Sequence, residues 1–113
     1  MEKITVQVLT RVILVRVGGR LDHSTGREFE QLVEDKMKEL GNYKVVLDMS
    51  GCPYMSSVGL QAFLALRKLS KRYNRGDVRL AHLQPYVRDT LELVGFTRIF
   101  EIYDDVVEAV GSF

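Results

Sequence analysis

The sequence lacks several features that mark secreted, membrane-embedded or nucleic-acid-binding proteins. It has no tryptophan, two prolines and one cysteine, Cys52, which cannot form an internal disulfide. No apolar run reaches the roughly 18 residues of a membrane span, and the opening MEKITVQVLTR lacks the apolar centre of a signal peptide. A net charge of +1 favours neither nucleic acid nor an anionic membrane as the main partner. We therefore expect a cytoplasmic domain with a reduced cysteine.

The size and composition are those of an ordinary globular domain. The chain has 113 residues, of which 46% are hydrophobic and 27% are charged. This length leaves little room for a second domain, so we expect one domain over residues 1–113.

The hydrophobic pattern predicts alternating strands and helices. Strands are predicted at 3–10, 11–17, 43–48, 77–81 and 98–102. Helices are predicted from Ser24 or Thr25 to 40, and at 58–73, 86–94 and 106–110, with Thr25 and Glu28 as a capping box for the first. The order β-β-α-β-α-β-α-β-α indicates an α/β fold: a mixed, mostly parallel sheet of about five strands with about four helices, and the first strand at an edge.

The segment DMSGCPYMSSVGLQAFLAL, residues 48–66, is the most informative part of the chain. A buried strand ends at Asp48, a turn follows, and Ser56 and Ser57 stand where a helix should begin. One serine would serve as an N-cap. The other would lie where free backbone N–H groups and the helix dipole favour an anion such as phosphate.

Two other interpretations of this segment, a catalytic serine and a response-regulator receiver, are weaker. A nucleophilic serine needs a base, but the sequence around it is not G-x-S-x-G, and no acid is clearly placed to orient His23 or His82. The run VVLDM is similar to a phosphorylated strand end of response-regulator receivers, but the acidic pair for a metal ion is missing. Asp48 is better interpreted as an acid that binds its own loop.

Three segments together resemble STAS domains, especially the bacterial anti-sigma-factor antagonists. They are VVLDMSGCPYMSSVGLQAFLAL, VGGRLDHSTGREFEQLV and LELVGFTRIFEIYDDVVEAV, in the family's order and spacing. The resemblance implies a STAS-like fold over the whole chain. It also implies a protein that is not an enzyme and needs neither cofactor nor metal.

The resemblance further implies a partner switch. Such proteins bind a partner that is both an anti-sigma factor and a serine kinase of the histidine-kinase-like ATPase type, and this releases the sigma factor. Phosphorylation of the loop serine ends the binding, and a phosphatase reverses it. We expect no direct contact between this protein and nucleic acid. The alternative is a non-enzymatic STAS subunit of another signalling or lipid-transport complex.

By motif position, the resemblance makes Ser57 the phosphorylated residue. The family usually has aspartate just before this serine, and the chain has Ser56 there, so Ser56 is the alternative acceptor. The partner-facing surface implied by the family comprises Asp22, His23, Ser24, Ser56, Gly59 and Leu60. Gly59 and Leu60 are equally well interpreted as a tight helix start and a core anchor.

Overall fold

A five-stranded sheet forms the centre of the computed structural model, which describes residues 4–73 and 76–113. Its strands lie side by side in chain order. The first pair is antiparallel and the others are parallel, which confirms the predicted mixed sheet with its first strand at an edge. The strands are β1 (Ile4–Val8), β2 (Ile13–Gly18), β3 (Lys44–Gly51), β4 (Asp77–Ala81) and β5 (Ile102–Tyr103).

Four α-helices connect or follow these strands in the described part of the chain. They are α1 (His23–Leu40), α2 (Ser57–Lys71), α3 (Pro85–Leu93) and α4 (Val106–Gly111). This confirms the predicted order of elements. No helix in residues 4–73 or 76–113 combines the length and apolarity that crossing a membrane would require.

The two faces of the sheet are covered unequally. Buried side chains of α1, α2 and α3 pack on one face around Phe29 and Phe63, whose ring centroids are 5.9 Å apart. A smaller cluster on the other face packs against α4 through Ala109. Neighbouring residues of a strand point to opposite faces of the sheet. In β2, Ile13 therefore belongs to the larger cluster and Leu14 to the smaller one. Cys52 is fully buried in the larger cluster.

Some predicted boundaries were wrong. Helix α1 begins at His23, so its cap is Asp22, with Thr25 as the reciprocal partner rather than as the cap. The strand predicted at 98–102 is mostly absent, because residues 96–98 form a 3-10 helix and β5 has only two residues. Phe96 and Phe100 both turn into the core there, with ring centroids 5.5 Å apart. Residue 3 of the first predicted strand lies outside the described residues.

Candidate functional site

Two loops are joined along the carboxyl ends of β2 and β3. The Gly19 N–H donates to the Gly51 carbonyl over 2.8 Å, and the Leu21 N–H donates to the Tyr54 carbonyl over 3.0 Å. The Ser56 N–H then donates back to the Leu21 carbonyl over 2.8 Å. This short parallel pairing extends the sheet beyond its regular strands. Because α1 begins two residues after Leu21 and α2 begins one residue after Ser56, the pairing places the starts of the two helices side by side.

Asp22 caps α1 through its carboxylate. Its Oδ1 accepts hydrogen bonds from the backbone N–H groups of Thr25 and Ser24, at 3.1 and 3.2 Å, and lies 2.9 Å from the Thr25 hydroxyl. The bonds from Thr25 are the main reason that the pKa of Asp22 is lowered. Asp22 is therefore ionised at neutral pH, and this carboxylate oxygen is committed to the helix start.

The two serines have different environments. Ser56 is the N-cap of α2, is half-buried, and accepts a long 3.5 Å hydrogen bond from the Gly59 N–H. Ser57 is the first residue of α2 and is exposed, and its hydroxyl forms no hydrogen bond within the described residues. One serine thus serves the helix, and the other presents its hydroxyl to solvent.

Gly59 and Gly26 allow the starts of the two helices to pack closely. A β-carbon at Gly59 would lie 3.0 Å from Met55 Cγ and 3.2 Å from Leu21 Cβ. One at Gly26 would lie 3.1 Å from a methyl group of Val58. Gly59 is buried, so it has a structural role beneath the surface, whatever else it does.

The other residues predicted to face a partner surround the two helix starts. His23 and Ser24 are exposed in the first turn of α1. Leu60 is half-buried and packs against the main core, which leaves part of its side chain accessible. The structure therefore brings the predicted set together, with Gly59 as its buried member. Contact of these residues with a partner remains a prediction.

Asp48 binds its own loop, as predicted. Its Oδ1 accepts a hydrogen bond from the Ser50 N–H over 3.0 Å, and its Oδ2 accepts one from Arg16 Nε over 3.1 Å. The carboxylate is almost entirely buried. It fixes the end of β3 and thereby the direction in which residues 52–56, which we call the serine loop, leave the sheet.

Neither histidine is positioned by the structure as a base for a serine. Within residues 4–73 and 76–113, no hydrogen bond joins His23 or His82 to either serine. The described part of the chain also contains no group of three side chains that could hold a metal ion. Among the described residues, the Ser57 hydroxyl is thus exposed and has no hydrogen-bonded base.

Sequence reasoning missed three side chains at this end of the sheet. The Arg20 guanidinium carbon lies 4.3 Å from the centre of the Tyr54 ring, and the Tyr54 ring stacks on that of Tyr86 with centroids 5.7 Å apart. The available signal was their position, since Arg20, Tyr54 and Tyr86 each lie in the segment just after the carboxyl end of a strand, the first two in loops and Tyr86 in the first turn of α3.

Comparisons with known proteins agree with this architecture. The family model for the STAS domain matches residues 3–109. The chain is 28% identical to the anti-sigma F factor antagonist of Paenibacillus polymyxa, over 88% of this chain and 84% of that protein. It is 27% identical to BtrV of Bordetella bronchiseptica, named as a candidate anti-sigma factor antagonist, over 98% of this chain and 94% of that protein.

Solved structures show the same fold. A candidate anti-sigma factor antagonist of Thermotoga maritima superposes with a TM-score of 0.88 at 23% identity, covering 96% of this chain and 92% of that one. The Bacillus cell fate determinant SpoIIAA in its phosphorylated form gives 0.73 at 18% identity, covering 96% and 97%. STAS anti-sigma antagonists are non-enzymatic regulatory proteins, in agreement with the prediction that this chain is not an enzyme. By the match of its sequence over residues 3–109, this chain belongs to the STAS domain family.

Proposed function

We propose that this protein is an anti-sigma-factor antagonist that is switched off by phosphorylation of Ser57. Unphosphorylated, it binds an anti-sigma factor that is also a serine kinase of the histidine-kinase-like ATPase type, and so releases the sigma factor. A phosphatase restores the binding form. The proposed function would take place in the cytoplasm, because bacterial transcription occurs there. The observation that carries the proposal is the exposed Ser57 hydroxyl at the first position of α2.

The start of α2 can hold a phosphate without losing the helix. Ser57 lies at the amino end of a 15-residue helix, where the first backbone N–H groups have no partner within the helix. The helix dipole also favours negative charge there. A phosphate on Ser57 would leave the Ser56 cap in place, so the modification would change the surface while the fold persists.

Phosphorylation would act on binding through charge. A phosphoserine carries about −1.5 to −2 charges at pH 7. In an interface that excludes water, this charge is costly unless a basic group of the partner pairs with it. A coupling of about 1–3 kcal/mol would weaken binding roughly 5- to 150-fold, which is enough for a switch.

The local geometry favours Ser57 over Ser56 as the acceptor. Ser56 is half-buried, its hydroxyl accepts from Gly59, and its N–H is bonded to Leu21. A kinase would have to displace the cap in order to phosphorylate Ser56. At Ser57 it meets a hydroxyl without a partner among the described residues.

The test is phosphorylation by the purified ATPase-type anti-sigma factor of the source organism, with ATP, followed by intact mass. We expect one phosphate on the wild type and on Ser56→Ala, and none on Ser57→Ala. One phosphate on Ser57→Ala and none on Ser56→Ala would move the acceptor to Ser56. A wild type that stays unmodified would contradict the proposed switch, and stable binding to a different complex would then favour the alternative STAS subunit.

A further inference from the structure

Arg20, Tyr54 and Tyr86 form a continuous stack on the surface beside the serine loop. They come from the β2–α1 turn, the β3–α2 loop and the first turn of α3. The guanidinium lies over one face of the Tyr54 ring at 4.3 Å, and the Tyr86 ring is stacked at 5.7 Å with an interplanar angle of 22°. We call these three side chains the Arg–Tyr–Tyr stack.

Two hydrogen bonds tie together the segments that carry the stack. The Tyr54 carbonyl accepts from the Leu21 N–H, which ties Tyr54 to the turn that carries Arg20. On the other side, Gln84 Nε2 donates to the Ser50 carbonyl over 2.6 Å, which ties the loop before α3 to the end of β3. The segments that carry the stack are therefore tied to one another, which lowers the conformational entropy that they would lose on binding.

The stack exposes part of its surface and one positive charge. Tyr86 remains 55% exposed, and Arg20 is also exposed. Within residues 4–73 and 76–113, no carboxylate forms a salt bridge with Arg20. The charge of Arg20 helps to lower the pKa of Asp22, whose Oδ1 accepts hydrogen bonds from the start of α1. Tyrosine and arginine, with tryptophan, are enriched among the few residues that carry most of the binding energy at protein interfaces.

The stack adjoins the surface around Ser57. Leu21 follows Arg20 in the chain and is bonded through its N–H to Tyr54 and through its carbonyl to Ser56. Ser57 is the next residue. A partner that covers the starts of α1 and α2 would therefore meet the stack at the edge of the same surface.

We infer that the Arg–Tyr–Tyr stack is a second docking region for the anti-sigma partner, and this inference rests on the proposed function. The complementary partner surface carries a carboxylate that pairs with Arg20 and an apolar side chain that covers Tyr86. Ser57 provides the switch, and the stack provides affinity that phosphorylation does not remove directly. The stack also favours fast association, because the charge on Arg20 attracts an acidic surface.

The test compares Tyr86→Ala and Arg20→Gln with a matched control, Tyr73→Ala. Tyr73 is 46% exposed and stacks on Tyr43 at 3.9 Å, at the opposite end of the strands. Each unphosphorylated protein is titrated calorimetrically into the purified ATPase-type anti-sigma factor of the source organism, and melting curves check folding. We expect about tenfold weaker binding for Tyr86→Ala, a smaller loss that salt diminishes for Arg20→Gln, and unchanged binding for Tyr73→Ala.

The outcomes separate this inference from the proposed function. If both stack variants bind like the wild type while Ser57→Asp binds weakly, the stack is not a docking region and the switch stands. If Tyr73→Ala loses as much affinity as Tyr86→Ala, the effect comes from general destabilisation and the inference is wrong. If the wild type does not bind at all, the proposed function fails and the inference fails with it.

Discussion

The Asp22 N–H donates to the Thr25 hydroxyl over 2.8 Å, and the Thr25 N–H donates back to the Asp22 carboxylate over 3.1 Å. This reciprocal pair satisfies two backbone donors at the start of α1. It also couples the site to the sheet, since the Thr25 hydroxyl lies 2.8 Å from the Arg20 carbonyl. The turn that carries Arg20 and the first turn of α1 are thus held together.

The Asp22 cap predicts a loss of stability in acid. Its pKa in the folded protein is lowered from the usual 3.8, mainly by the bonds from Thr25. The stabilisation is therefore complete above the unfolded pKa and is lost as the pH falls through the lower, folded value. Urea unfolding at about pH 6 and about pH 3 should show a larger decrease in the free energy of unfolding for the wild type than for Asp22→Asn. Equal decreases would show that Asp22 is not the responsible carboxylate.

The two serines should differ in their effect on stability. Ser56→Ala removes the N-cap of α2 and should lower the free energy of unfolding by about 0.5–1 kcal/mol, at the lower end because the capping bond is 3.5 Å long. Ser57→Ala removes an exposed hydroxyl and should change it by less than about 0.5 kcal/mol. Chemical denaturation of both variants measures the difference. A larger loss for Ser57→Ala would mean that the roles of the two residues are reversed.

Much of the fold could be predicted because its local signals agree with one another. The continuous apolar run of β3, the alternation in β1 and the helical periodicity of α1 each favour one structure. The start of α1 was ambiguous, since Asp22 and Thr25, and Thr25 and Glu28, both have the spacing of a cap. The pairing of Leu21 with the serine loop decides between them, and this contact is between residues distant in the chain.

The segment after α3 shows tertiary structure overriding a local pattern. The run from 98 to 102 has the composition of a short strand, but Phe96 and Phe100 lie four residues apart and both reach the core. Phe100 also contacts Phe63 edge-on, with centroids 6.1 Å apart. Burying both rings requires a tight turn, and β5 can begin only after it.

The candidate site was only partly accessible to sequence reasoning. The position of Ser57 followed from a strand, a turn and a helix in succession, which are local features. The Arg–Tyr–Tyr stack combines two loops and the first turn of α3, and consecutive members of the stack are more than 30 residues apart in the chain. Which side chains become neighbours in the stack depends on the order of the strands in the sheet, and local sequence patterns do not determine that order.

Gly59→Ala should destabilise the protein although alanine favours helices. The added β-carbon would lie 3.0 Å from Met55 Cγ and 3.3 Å from the Leu21 carbonyl oxygen, which is already bonded to Ser56. Overpacking of this kind costs about 1–3 kcal/mol, more than the gain of about 1 kcal/mol in helix propensity. Thermal and urea unfolding should show the loss, with Gln61→Ala, at an exposed position of α2, as a near-neutral control. A more stable Gly59→Ala protein would contradict this prediction, because it would mean that Met55 and Leu21 move aside at little energetic cost.

The charge argument for the switch is tested by Ser57→Ala and Ser57→Asp. The alanine variant should bind the purified anti-sigma factor as tightly as the unphosphorylated wild type, and it should remain bound when ATP is added. The aspartate variant should bind at least about fivefold more weakly, because it places a negative charge in an interface that excludes water. Thr97→Asp adds the same charge at an exposed position of the 3-10 helix, before β5, and should bind normally. Equal calorimetric affinities for the alanine and aspartate variants would refute the charge argument. An equal loss in Thr97→Asp would mean that net charge, rather than charge at the start of α2, weakens the complex.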